Sequence, residues 1–223
     1  MSGQGFFVYR KVTNLEITIR KMSPELAEDY FDFFENRAFS DGSEFYPCYC
    51  TAYNMSKERF EAEFFGKWRE YGSTDEAWKR ALRECAERMV AAGEVQGYLA
   101  YDNGLVIGWC NSNDRLNYYR VGEFDFSDVP PDKACSARKG EIKSVVCFET
   151  APGYRGKGLA SMLLERICED AKADGYEYVE GYPAQDGGYL GKSYTGPVKL
   201  YEKHGFEVFS RDGNNVTMRK KLV

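Results

Sequence analysis

The sequence predicts a mixed α/β (α+β) fold in a single domain spanning residues 1–223. Three observations carry this. Segments with a period of two alternate with segments of 3.6-residue periodicity. An Asn-Gly pair sits between two apolar runs, the strongest short-range signal for a β-hairpin. No repeat, low-complexity tract or linker interrupts the pattern.

Leu15 to Arg20 (LEITIR) alternates apolar and polar residues and reads as the first strand. Ser23-Pro24 then offers an N-cap and a first helical residue with preset φ. Leu26, Ala27, Tyr30, Phe31 and Phe34 share one face of the helix that follows. After an aromatic loop, FSDGSEFYPCYCTAYN, Ser56 caps a helix carrying Phe60, Phe64, Phe65 and Trp68. Ser73 and Glu76 form an S-x-x-E capping box for the next helix, whose apolar face is Trp78, Ala81, Leu82, Cys85 and Met89. These helices make an insertion at about 40–93, between the first strand and the hairpin.

Beyond Gly93 the pattern turns to strands. Tyr98 to Tyr101 and Leu105 to Cys110 flank the Asp102-Asn103-Gly104 turn, and Glu141 to Thr150 reads as a largely buried strand. A glycine-rich turn leads to a helix with Ala160, Leu163, Leu164, Ile167, Cys168 and Ala171 on one face, terminated by Gly175. Tyr176 to Tyr182, a short helix from Pro197, and strands at Phe206–Ser210 and Asn215–Lys220 complete the chain.

Composition excludes several classes of function. With 30 basic and 35 acidic residues the net charge is −5, and no long basic run marks a nucleic-acid partner. No apolar run approaches the ~20 residues that span a bilayer, and the first residues lack the apolar stretch of a signal peptide. A single histidine, His204, leaves little scope for His-rich metal sites or His-based triads. Seven cysteines in irregular spacing read as reduced thiols of a cytoplasmic protein, mostly buried as small hydrophobes. Cys48-Tyr49-Cys50 lacks the second pair that a zinc site needs.

The chemistry concentrates in Ser144 to Glu165, SVVCFETAPGYRGKGLASMLLE. A strand, Pro152 and Gly153-Tyr154-Arg155-Gly156-Lys157-Gly158 run into a helix. The unpaired N–H groups of a helix N-terminus and its positive dipole end suit phosphate oxygens, and Arg155 and Lys157 add charge. The third glycine of a dinucleotide fingerprint is missing, since Leu159-Ala160-Ser161 follows Gly158. Gly187 to Ser193 (GGYLGKS) is one residue too short between its glycines for a P-loop.

Arg155-Gly156-Lys157-Gly158-Leu159-Ala160, after a strand and a proline, resembles the acyl-CoA-binding motif of the GNAT (GCN5-related N-acetyltransferase) superfamily. Leu200-Tyr201-Glu202-Lys203-His204-Gly205-Phe206 is similar to the L-Y-x-[KR]-x-G-F segment that closes these domains. The resemblance runs from about Leu15 to the end of the chain, and the roughly 75 residues between first strand and hairpin exceed the compact pattern. It implies a central mixed, twisted β-sheet flanked by helices, with acetyl-CoA as donor.

The same resemblance implies a set of roles. Gly156, Lys157, Gly158, Leu159 and Ala160, with Arg155, would hold the pyrophosphate. Cys147, Phe148 and Thr150 would line the pantetheine arm on a strand that splays from its neighbour near Tyr178, and an N–H near Phe148 would polarise the thioester carbonyl. Tyr201 is the candidate acid for the leaving thiolate; a phenol near 10 donating to a thiolate near 8.5 costs about 2 kcal/mol unassisted. For the base, Glu141 is the candidate near where some members carry a glutamate, offset by one position; Glu149, water or an acceptor that arrives neutral stay open. Cys147 as a nucleophile would depart from the family's direct transfer. His204 lies in a corner where the family shows no chemistry.

The acceptor site is expected between the insertion, the hairpin and the loop from Pro183 to Ser193. Tyr46, Tyr49 and Tyr53, beside Asp41 and Glu44, suit a cationic amine or form an aromatic cover for the sheet. The expected reaction is acetyl transfer to the primary amine of a small molecule by direct attack in a ternary complex. The alternatives are protein or peptide acetylation and a non-catalytic acyl-CoA-binding module. No metal, nucleic-acid or membrane partner is expected, and a homodimer is compatible with the family.

Overall fold

The structure is a computed structural model, and it describes residues 16–43, 47–119, 136–183, 194–212 and 215–222. In chain order the strands are β1 (Ile17–Lys21), β2 (Gly97–Asp102), β3 (Leu105–Asp114), β4 (Ile142–Thr150), β5 (Tyr178–Gly181), β6 (Glu207–Asp212) and β7 (Asn215–Lys221). The helices are α1 (Ala27–Asn36), α2 (Lys57–Phe60), α3 (Gly66–Glu70), α4 (Asp75–Ala91), α5 (Leu159–Ala173) and α6 (Val198–Lys203). A π-helical turn, Glu61–Phe65, joins α2 to α3.

One seven-stranded sheet runs in the order β1-β2-β3-β4-β5-β7-β6. Among the described residues β4 and β5 pair in parallel and the other five strand pairs are antiparallel. The β2–β3 hairpin turns where expected, with Asn103 and Gly104 both at positive φ (49° and 79°), as a primed two-residue turn requires. Each strand lies within a few residues of its expected span, and β3 extends four residues past Cys110.

Alternation splits the sheet's side chains between two cores. Leu99, Tyr101, Val106 and Trp109 face the α1–α4 layer. Tyr98, Ala100, Ile107 and Cys110 face α5 and α6. On β4 the alternation breaks: Val146 and Cys147 both face the α1–α4 side, between Val145 and Phe148 on the other. A register shift opposite Asn111 and Ser112 marks the bulge responsible.

The Ser56 cap forms as expected, its hydroxyl accepting from Arg59 N at 3.1 Å. The next cap is one residue later than the capping-box spacing implies. Thr74, not Ser73, accepts from Ala77 N at 3.1 Å, because Ser73 adopts φ +58° in the turn closing α3. Among the described residues no helix is long and apolar enough to cross a membrane, and no cluster of three or more His, Cys, Asp or Glu is arranged for a metal ion.

Candidate functional site

The central feature of the site is a parted pair of strands. β4 pairs with β5 from Ile142↔Tyr178 to Val145↔Gly181, and there β5 ends while β4 continues to Thr150. The splay therefore opens beyond Gly181; Tyr178, where it was expected, is paired. On its other side β4 remains bound to β3, and Ala151 N donates to the Ile107 carbonyl at 3.0 Å. Antiparallel alternation then turns the N–H groups of Phe148 and Thr150 toward the open edge. Consistently, Thr150 N donates to its neighbour's carboxylate, Glu149 Oε1, at 3.2 Å rather than to β3.

The glycine turn lies directly below this edge. Gly156 and Gly158 both have positive φ (74° and 83°), and a Cβ built at either meets nothing within 4 Å. Gly158 is the N-cap of the 15-residue α5, with no side chain capping the first-turn N–H groups. The open strand edge, uncapped helix start and free volume fit an extended amide-bearing ligand that ends in phosphates.

Arg155 contributes differently from expectation. Its guanidinium pairs with Asp41, donates to the Thr150 carbonyl at 3.1 Å and the Ala38 carbonyl at 3.5 Å, and lies 3.7 Å from Glu149. It ties the turn to the segment after α1, so only its backbone is left to face a phosphate. Lys157 is exposed, its Nζ 5.1 Å from the Tyr154 ring centroid.

Tyr201 stands at the mouth of the splay. A Cβ on Gly181 would come within 2.1 Å of its ring. The side chain is fully buried and its hydroxyl donates to the Thr195 carbonyl at 2.8 Å. Burial, with the nearby Cys110, Cys147 and Cys168, holds its pKa well above the ordinary value, so it stays a proton donor.

The two carboxylates of the motif strand separate. Glu141 precedes β4 and accepts from Arg138 N at 2.7 Å. That contact and the Arg138 charge hold its carboxyl below the ordinary value. Seven residues from Phe148 along an extended strand is roughly 20 Å, so the structure does not bring Glu141 to the site. Glu149 is there instead, on the α1–α4 side with 16% of its side chain exposed. Burial pushes its carboxyl up to about 7, with the Asp41 charge adding and Arg155 and Thr150 N opposing.

Cys50 Sγ lies 3.2 Å from Cys147 Sγ, and Cys48 Sγ accepts from Cys50 N at 3.4 Å. The bond with Cys50 lowers the Cys147 pKa, but burial and the Cys48 and Glu149 charges outweigh it. A thiol with a raised pKa is a poor nucleophile.

Among the three tyrosines expected at the acceptor, Tyr46 lies outside the described residues. Tyr49 turns away: it is 6% exposed, packs on Phe31 and Phe34, and donates to Glu35 at 3.0 Å. Tyr53 is half-buried, hydrogen-bonded to Tyr194 and near Cys147 and Cys50. His204 is hydrogen-bonded to Ser161 of α5 and joins two helices. Residues 184–193 of the expected acceptor loop are not described.

Sequence reasoning missed a polar wall on the α1–α4 side. The Tyr118 hydroxyl donates to Asn111 Oδ1 at 2.6 Å, and Asn111 Nδ2 to the Cys50 carbonyl at 2.8 Å. Tyr182, one residue past β5, donates to Glu180 at 2.6 Å and lies 2.9 Å from the Ser144 hydroxyl. Glu180 pairs in turn with Arg219. These residues are scattered in sequence, and only the sheet register gathers them.

Comparison with known proteins gives a consistent set of matches. The model of the acetyltransferase (GNAT) domain matches residues 93–208. The uncharacterized N-acetyltransferase YsnE of Bacillus subtilis is 34% identical over 96 residues, 40% of this chain and 58% of that protein. The chain thus matches under two thirds of that relative's length. The fold is similar to that of the GNAT domain of S. lividans PAT, with TM-score 0.51 and 18% identity over 92% of this chain and 90% of that one. It is also similar to the PaiA N-acetyltransferase of Thermoplasma acidophilum, solved with coenzyme A, with TM-score 0.50 and 17% identity over 92% and 99%.

Proposed function

Because the chain belongs to the GNAT acetyltransferase family, we propose that it is an acetyl-CoA-dependent N-acetyltransferase acting on the primary amine of a small molecule. One observation carries the reading: β4 outruns β5 beyond Gly181 and leads straight into the Gly156–Gly158 turn and the uncapped start of α5. When bound, acetyl-CoA supplies the activated acetyl group. The open Phe148 carbonyl, together with the Thr150 N–H and C=O once they leave Glu149 and Arg155, pairs with the amides of the pantetheine arm, as an added strand does. The N–H groups from Gly156 to Ala160 hold the pyrophosphate, with Lys157 adding charge.

At the reacting end, the Phe148 N–H is the donor available to an acyl oxygen. Tyr201, protonated at neutral pH, leaves the Thr195 carbonyl to give its hydrogen to the departing sulfur. Glu149, whose carboxyl is held near 7, is the group on the acceptor side able to take a proton from an ammonium, directly or through water. Tyr53 offers an aromatic face to the acceptor. The protonated state of Cys147 favours direct attack by the amine.

Calorimetric titration with acetyl-CoA, followed by thiol release with a panel of small amines and peptides, tests the proposal. Binding followed by release driven by small amines is expected. Binding with no release from any acceptor would favour a non-catalytic module, release with peptides alone a protein acetyltransferase, and absence of binding would remove the proposal.

A further inference from the structure

A cavity of about 360 Å³ lies where the helical layer meets the start of β2 and the end of β3. That volume is at the lower end of the ~300–1,000 Å³ that small-molecule pockets occupy. Asn113 of β3 lines it and pairs across the sheet with Ser144, four residues before Phe148. The cavity therefore stands roughly 13 Å along β4 from the proposed reacting end. Asn54, also in the lining, is 6% exposed, and its Oδ1 is buried with no hydrogen-bond partner. The orientation of this carboxamide is fixed. Its Nδ2 donates to the Asn117 carbonyl at 3.3 Å and to the Glu94 carbonyl at 3.5 Å, and only the amino end can meet two carbonyls. The unmet atom is thus an acceptor that calls for a donor. One water would satisfy it, and the cavity has room for far more than one.

The rest of the lining says what kind of donor fits. Asn113 is 2% exposed and fully used: Oδ1 accepts from Asp114 N and from Asn117 Nδ2, each at 2.8 Å, and Nδ2 donates to the Glu94 carbonyl at 3.4 Å. It holds the shape of the cavity. Gln96 is half-buried with an uncommitted carboxamide, and the Tyr119 hydroxyl is likewise uncommitted among the described residues. The charges at the rim cancel. Arg59 meets Glu94 and Glu63 at 2.6 Å each, and Arg88 meets Glu63 at 2.9 Å. An anion would bring acceptor oxygens to an acceptor already unmet. A cation would find a guanidinium beside it, and Glu94, the one carboxylate among the described lining residues, is already paired. Small-molecule pockets are mostly apolar with a few polar groups, whereas carboxamides prevail here, so the ligand is hydrophilic. A hydroxyl both donates and accepts, which suits an orphan acceptor beside a free carboxamide. We propose that this cavity binds a neutral ring bearing several hydroxyls, a sugar or the ribose of a nucleoside. One hydroxyl donates to Asn54 Oδ1, a second meets the Gln96 carboxamide, and the C–H face of the ring lies against Leu116 and Tyr119. The site is separate from the acetyl-CoA edge and does not depend on the transferase reading.

The experiment titrates the full chain calorimetrically with glucose, galactose, ribose, myo-inositol, adenosine and uridine, and with methylammonium and acetate as charged controls. Saturable binding of at least one hydroxylated probe is expected, and none of either control. Response to free sugars identifies a sugar site, and response to the nucleosides alone a nucleoside site. N54L, which removes the orphan acceptor at similar volume, should weaken that probe tenfold or more. Q96A changes only a half-buried wall residue and should weaken it severalfold, so the test survives if N54L fails to fold. Far-UV circular dichroism reports folding of both variants. If the chain binds acetyl-CoA, its Kd should be the same with and without the saturating probe. Binding of no sugar or nucleoside would overturn the inference. So would binding of the charged controls in place of the hydroxylated probes, equal affinity in the wild type and both variants, or competition between the probe and acetyl-CoA.

Discussion

A carboxyl held near neutrality inside a protein is a proton acceptor and a cost to the fold at once. Glu149 has a folded pKa of about 7, against about 4.3 in an unfolded chain. Between those values the folded state keeps the proton that the unfolded state loses, so stability falls as pH rises through this window and the full penalty remains above about 7. Thermal melts from pH 5 to pH 8 should therefore show a smaller drop for E149Q than for the wild type. If Glu149 also takes the proton from the acceptor, wild-type kcat/KM falls about tenfold per unit below pH 7, and that limb vanishes in E149Q. A flat wild-type profile would leave only the structural role. Tyr201 gives a complementary test. Y201F loses one hydrogen bond, to the Thr195 carbonyl, worth about 1 kcal/mol. Turnover under saturating substrates should drop at least about tenfold with little change in acetyl-CoA affinity; unchanged turnover would reassign the ring to packing against Gly181 and Phe206.

At the scale of elements, the cap of α4 shows how local rules compete. Ser73 and Thr74 are both good N-caps, and the S-x-x-E spacing favours Ser73. The preceding turn decides otherwise, because Ser73 sits at φ +58° with its N–H on the Trp68 carbonyl at 3.0 Å. T74A should cost about 1 kcal/mol in denaturant unfolding, whereas S73G should gain up to about 1 kcal/mol by relieving the left-handed backbone. The reverse order would restore the capping box. The elements themselves were legible because their signals are local: the Asn103-Gly104 turn, the apolar face of α5, and Gly175 at φ +85° just past its end. The glycine turn was legible for the same reason. The features on the α1–α4 side of the splay are not local. The β4 bulge that puts Val146 and Cys147 on one face arises from pairing with β3. Cys50, at φ +50°, lies between Tyr49, which packs on Phe31 and Phe34, and Tyr53, which lies near Cys147. Glu141 and Glu149 are both on or beside the motif strand in sequence; the Arg138 N–H and charge hold the first below the ordinary value, and burial holds the second near 7.

Across the whole molecule, the long stretch between the first strand and the hairpin is part of the main core rather than an appendage. Trp109 of β3 is fully buried and meets Tyr30 and Phe34 of α1 edge-on, at ring-centroid distances of 5.0 and 6.4 Å. Trp68 and Trp78 lie in the outer layer, 5.5 Å apart and packed on Phe64 and Phe65. Since Phe64, Ala81, Cys85 and Met89 belong to the same buried cluster as Leu99, Trp109 and Val146, sheet and helices should unfold together. The three tryptophans make this measurable. In W109F the fluorescence reports the outer helices alone, and in the W68F/W78F double variant it reports the sheet alone. Within each variant, fluorescence and far-UV circular dichroism should give one denaturant midpoint, whatever stability the substitutions remove. Acetyl-CoA extends the test to function, because its proposed site lies on β4 and α5, away from Trp68 and Trp78. At a hundredfold excess over its Kd it should stabilise the protein by about 2.7 kcal/mol, and W109F should show the full shift through its two distant tryptophans. A shift seen by Trp109 but not by Trp68 and Trp78 would mean that the helical layer folds apart from the proposed donor site, and that the polar wall on its side of the sheet is not held by the same cooperative unit.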